Sequence, residues 1–160
     1  MRAVRWRLRD RVAEGMVAAI ALVLVTTAAA QAEPLALRGV RGATTVEANT
    51  PEAIRAAMGE LMQGLIAANR LQPERIVSLV VSATADVNAI FPASVPRRLP
   101  GWQDVALLDV QQMAVPGDLP RCLRVLITTW LPQSQRVQHL YLGEAQRLRP
   151  DRPAPAPGQN

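Results

Sequence analysis

Lysine is absent from this chain of 160 residues: all 18 basic side chains are arginine. That removes Schiff-base catalysis and the phosphate-binding loop of Walker-type nucleotide sites, both of which need lysine. The single cysteine, Cys122, excludes an intramolecular disulfide framework and any zinc site of paired CxxC motifs. With one histidine, His139, a His-rich metal centre is impossible, and a catalytic triad would have to use that residue. Aromatics make up 3% of the chain, with one Tyr and one Phe, too few for a stacking platform on nucleic acid. What remains for chemistry is Arg, carboxylates, side-chain amides and one phenol.

The formal net charge of +5 is concentrated at one end. Residues 1–32 hold five Arg against Asp10 and Glu14, which leaves only +2 for the rest. No basic stripe remains, and nucleic acid is not expected as a partner. A composition of 49% hydrophobic and 19% charged residues excludes a disordered chain and fits one packed domain.

The first 32 residues form a segment of their own. An Arg-rich start leads into the apolar run Met16–Val25 and then Ala30-Gln31-Ala32, the order of a secretory signal, with cleavage expected between Ala32 and Glu33. The run is short of the roughly 20 residues that a membrane span needs, so no stable span is expected in the mature chain. Asp10 and Glu14 are unusual in a signal, which leaves open an N-terminal helix or untranslated upstream sequence. Cleavage implies a periplasmic or secreted product, and its absence a cytoplasmic one.

The remainder divides into a domain over residues 33–152 and a Pro-rich tail over 153–160, expected to be disordered. Residues 35–43 alternate as a strand, with Gly39 and Gly42 allowing close backbone approach. Thr50-Pro51-Glu52 is a helix start, and Ile54, Met58, Leu61, Met62, Leu65 and Ile66 place one apolar face on a helix that ends near Asn69. Ile76–Ala83 is β-branched and reads as a buried strand. Residues 86–100 are irregular, with room for short helical turns, and further strands are expected at 105–109, 124–130 and 138–147. The pattern predicts an α+β domain: a mixed β-sheet of about five strands, one long helix and short helices. One sheet face is left uncovered, which implies burial against another subunit.

Within this frame, Arg38, Arg98, Arg121 and Arg136 read as solvated side chains. Arg124 differs, because an Arg inside a β-branched strand requires an anionic partner. A structural salt bridge and a substrate carboxylate satisfy that requirement equally well.

Several segments together resemble the trimeric, Bacillus-type (AroH-class) chorismate mutases. They are RGVRGATTVE (38–47), LVVSATADVNAIFPA (79–93), GWQ (101–103), PRCLRV (120–125), HLYL (139–142) and LRPD (148–151), in register from about Leu37 to Asp151. The resemblance implies a homotrimer around a pseudo-α/β-barrel, with active sites at subunit interfaces. It also implies conversion of chorismate to prephenate by a Claisen rearrangement on the way to phenylalanine and tyrosine, with no cofactor and no metal.

By position, Arg41 and Arg124 look like the pocket arginines and Tyr141 like the pocket tyrosine. Phe91, Ala93 and Arg97 look like the wall from a neighbouring subunit, Leu108 is a further substrate-binding position, and Leu148 and Arg149 stand at the mouth. Guanidinium forks suit a dianionic substrate, and one preorganised near the breaking ether oxygen stabilises its developing charge. The chain departs from the family at Gln112, where a pocket Glu is usual, at Asp109, where a small neutral residue is usual, and at Ser94, where Lys is common. A carboxylate moved from position 112 to Asp109 is one expectation, provided the strand bends near Val110-Gln111. The alternative function is a catalytically impaired trimer that binds an anionic metabolite.

Overall fold

The computed structural model describes residues 33–151, so the signal-like segment and most of the C-terminal tail lie outside the described residues. The chain divides at Glu33/Pro34, and every element below belongs to the second unit. The strands are β1 (Leu35–Thr45), β2 (Ile76–Ala83), β3 (Leu107–Gln111), β4 (Cys122–Pro132) and β5 (Leu140–Tyr141), and the one long helix is α1 (Pro51–Asn69). Short 3-10 turns occupy Pro73–Arg75, Pro92–Ser94, Pro96–Arg98 and Gly143–Leu148. The strands form one mixed sheet in the order β3-β2-β4-β1-β5, which is the expected α+β architecture. β4 runs antiparallel to both β1 and β2, while β3 and β5 pair in parallel at the two edges.

α1 begins where the sequence predicts. Thr50 is extended, and its hydroxyl accepts from the Ala53 N–H at 3.2 Å, while Pro51 occupies the first turn. Its other end differs by one residue. Arg70, at φ 51°, takes the left-handed position, and the Leu71 N–H returns to the Ile66 carbonyl at 3.1 Å. Asn69 is instead buried, its amide donating to the Leu65 and Gln138 carbonyls and accepting from the Gln138 N–H. That side chain ties the approach to β5 onto the helix end.

Ile54, Met58, Leu61, Met62 and Leu65 of α1 are buried on one sheet face against Val40, Leu79, Val81, Leu123, Val125 and Ile127. Each such side chain contributes on the order of 1.5–3 kcal/mol of burial. Close approach is needed at Gly42, where a Cβ would lie 2.7 Å from Leu65 Cδ1, but not at Gly39, whose nearest neighbour would be at an ordinary 3.5 Å.

The expected last strand, 138–147, is mostly not a strand. Only Leu140–Tyr141 pairs, because Gly143 turns to φ 54° and the chain continues as a 3-10 turn to Leu148. The strand expected at 105–109 is shifted to Leu107–Gln111.

The opposite sheet face carries no α-helix among the described residues, and the 3-10 turn Gly143–Leu148 packs only at its Ala43–Tyr141 end. Register brings Leu37 beside Trp130, and Leu126 beside Val80, which itself pairs with Leu108. Leu37, Leu108, Leu126 and Trp130 are 52%, 58%, 43% and 43% exposed, a contiguous apolar surface.

Candidate active site

Paired residues in neighbouring strands point to the same sheet face, so register determines which side chains meet. One row runs Val110–Ser82–Arg124–Ala43–Tyr141 across all five strands. Ala43 is the small residue between the guanidinium and the phenol. Arg41, paired with Leu126, stands in the adjacent row on the same open face. Its backbone N–H donates to His139 Nδ1 at 3.0 Å, which extends the short β1–β5 pairing.

Arg124 has the anionic partner that its strand requires. Its Nη2 lies 2.7 Å from Asp118 Oδ1. The other carboxylate oxygen, Oδ2, accepts from Gln112 Nε2, and Oδ1 also takes the Leu119 N–H at 2.8 Å. These bonds hold the Asp118 carboxyl below the usual range, led by the Leu119 N–H and reinforced by Arg124 and Gln112. Among described residues, four buried side-chain atoms lack a hydrogen-bond partner, and three belong here: Arg124 Nε, Gln112 Oε1 and Tyr141 Oη. The Arg124 donor and the Gln112 acceptor, left buried and unpaired, mark a place for a polar ligand, and the Tyr141 hydroxyl stands beside them near Arg149.

Tyr141 packs with Ala43, Cys122, Ala145, Leu119 and Leu148. Arg149 is paired through both nitrogens of its fork with Asp151, at 2.8 and 2.7 Å, and the Tyr141 phenol acts on it as well. Cys122 is fully buried among Ala43, Tyr141 and Ala145, and burial pushes its thiol up.

Asp109 is not in this group. β3 stays paired through Gln111, and the Gln112 N–H continues the ladder to the Ala83 carbonyl at 2.8 Å, so the bend required for Asp109 to reach Gln112 is missing. Asp109 shares its row with Val81 and Val125 on the helix side. There it accepts from the Ala93 N–H at 2.9 Å, with Arg97 as its nearby cation, while burial raises its carboxyl pKa. Phe91, Ala93, Arg97 and Asp109 thus form a second group, and Phe91 is 77% exposed. A cleft of about 440 Å³ runs past Phe91, Pro92, Asp109 and Val110 and includes neither Arg124 nor Tyr141. Leu108 projects from the apolar face beside these two groups.

Asp118 is the site residue that sequence reasoning missed. Its signal was Pro116-Gly117 directly before it: Gly117 sits at φ 80° in a turn closed by the Asp118 N–H on the Val115 carbonyl. Among the described residues no group of three or more His, Cys, Asp or Glu is placed to hold a metal ion, and no helix is long and apolar enough to cross a membrane.

The family model "Chorismate mutase type I" matches residues 37–152. The chain belongs to the type I chorismate mutases. It is 44% identical over 117 residues to chorismate mutase AroH of Bacillus subtilis (strain 168), covering 72% of this chain and 91% of that protein. Against chorismate mutase AroH of Thermus thermophilus it is 46% identical over 118 residues, covering 72% and 95%. The solved chorismate mutase from Clostridium thermocellum aligns with a TM-score of 0.63 at 33% identity, over 69% of this chain and 98% of that one. Both arginines, the phenol and Gln112 fall within the matched residues of this type I chorismate mutase.

Proposed function

We propose that this type I chorismate mutase converts chorismate to prephenate at the Arg124–Tyr141 row, in a site completed by the Phe91 group of a neighbouring subunit within a homotrimer. The observation that carries the chemistry is the pair of unpaired atoms on Arg124 and Gln112. Chorismate offers two carboxylates, a hydroxyl and an ether oxygen. Arg124 and Arg41 supply positive charge on one face, Gln112 Oε1 can accept from the hydroxyl, and Arg124 Nε can donate to the ether oxygen.

The rearrangement is intramolecular, so no proton, nucleophile or cofactor is required. Bond breaking places negative charge on the ether oxygen. A guanidinium held by Asp118 before the reaction starts stabilises that charge without reorganising. Folding the enolpyruvyl group over the ring contributes orientation. Support for a shared site comes from the single chain, whose Phe91 and Arg124 groups lie apart beside an open apolar face.

Loss of chorismate absorbance tests the reading. Arg124→Ala should lower kcat on the order of 10²–10³-fold, the scale of removing an oxyanion donor, with a smaller effect on KM. Arg124→Lys should rescue poorly, since an ammonium lacks the planar fork. A chorismate-binding wild type without turnover would instead establish the impaired-binder alternative.

A further inference from the structure

We infer that Asp118 is the positioning carboxylate of this active site, fixing both the Arg124 fork and the direction in which the Gln112 amide faces substrate. The inference rests on the chorismate mutase reading above and adds to it a residue outside the expected site.

Three observations carry it. First, the carboxylate divides its oxygens: Oδ1 takes Arg124 Nη2 at 2.7 Å and Oδ2 takes Gln112 Nε2. Second, both partners are left with one buried, unpaired polar atom, Arg124 Nε and Gln112 Oε1. An amide whose nitrogen is committed to a carboxylate must present its oxygen elsewhere. Arg124 is held at Nη2, and its neighbouring Nε–H is left for another acceptor. One carboxylate therefore determines that the site offers a donor from Arg124 and an acceptor from Gln112. Third, Asp118 is itself anchored: its N–H closes the Val115 turn, Gly117 supplies the φ of 80°, and Oδ1 also accepts from the Leu119 N–H. The Asp118 side chain is only 22% exposed, so water only partly screens its charge from Arg124.

The geometry also makes the pair reversible. Acid at 118 and amide at 112 hydrogen-bond to each other, so exchanging them keeps one carboxylate and one amide beside Arg124. Two carboxylates there would repel, and two amides would leave Arg124 without a counter-charge. A residue needed only for folding of the turn has no reason to obey this rule.

The experiment compares steady-state chorismate turnover by wild type, Asp118→Asn, Gln112→Glu and the double variant, with thermal melts of each. Asp118→Asn should lower kcat at least about tenfold with KM changed less than about threefold. Gln112→Glu alone should also lose activity. The double variant should return to within about threefold of wild type, beyond either single change. Wild-type activity in Asp118→Asn, a lowered KM with kcat intact, or a folded double variant no better than its worse parent overturns the inference. If Asp118→Asn fails to fold, the double variant alone decides, by the same criterion. A wild type that leaves chorismate unchanged overturns the functional reading itself, whereas an active wild type indifferent to Asp118 overturns only this proposal.

Discussion

Gly42 of β1 and Leu65 of α1 meet with no room for another atom: a Cβ on Gly42 would lie 2.7 Å from Leu65 Cδ1 and 3.1 Å from Val125 Cγ2. This contact seats the helix under Gly42, while Arg41 and Ala43 on either side of it point to the opposite sheet face. Gly42→Ala should destabilise the fold by about 1–3 kcal/mol, the usual cost of overpacking. Urea unfolding followed by circular dichroism measures it, and an unchanged midpoint would show that the helix can lift freely.

Leu126 lies beside Arg41 in register and is 43% exposed in the single chain. If the apolar face is the subunit interface, Leu126→Glu places a charge where no partner is provided. Light scattering at micromolar concentration should then report a trimer for the wild type and a smaller species for the variant. Turnover should fall with the trimer. A wild-type monomer with full turnover would remove both the assembly and the shared site.

Asp86 accepts from the Thr84 hydroxyl and, through Oδ2, from the Arg121 N–H at 2.9 Å, and the Thr84 bond leads in holding its carboxyl below the ordinary range. A carboxyl with a lowered folded pKa adds stability above its unfolded value of about 3.9, and that stability is lost as pH falls through the folded value. Asp86→Asn should therefore be less stable than wild type at pH 7, and the gap should close below about pH 4. A gap of the same size at pH 7 and pH 3 would assign the loss to something other than charge.

The N-terminal segment carries an expectation independent of catalysis. We expect protein from the native host to begin at Glu33 and to lie outside the cytoplasm, since Ala30-Gln31-Ala32 follows an apolar run after an Arg-rich start. N-terminal sequencing of fractionated cells checks it. An intact N-terminus in the cytoplasmic fraction would reject the signal reading and leave the enzyme untouched.

The helix was legible because its signals are local: Thr50 and Pro51 start it, and a 3.6-residue period marks its buried face. The β-branched run at 124–130 marked β4 equally well, although the strand extends over Cys122–Pro132. The end of β5 was misplaced, because the expected strand runs through Gly143, the one residue of 138–147 suited to a positive φ, rather than ending there. Arg124 announced its need for an anion, but spacing could not say which acid would meet it. Asp109 is nearer in sequence to Gln112 than to Ala93, yet the unbroken pairing of β3 sends its carboxylate to the Ala93 N–H. Asp118 reaches Arg124 through a turn, and only the turn residues Pro116 and Gly117 hinted at it.

Ala43, Arg124 and Tyr141 are neighbours in one row, but they enter the growing polypeptide far apart. The chain through β4 contains both arginines and the two strands that set Arg124 beside Ala43. It has no phenol, because β5 pairs with β1, the first strand, and comes last in order. In the proposed site, the phenol is therefore the last of these groups to be translated. If the apolar face is the subunit interface, a chain released before β5 would carry that face without the phenol, and its co-assembly with full-length copies would blunt their output as well.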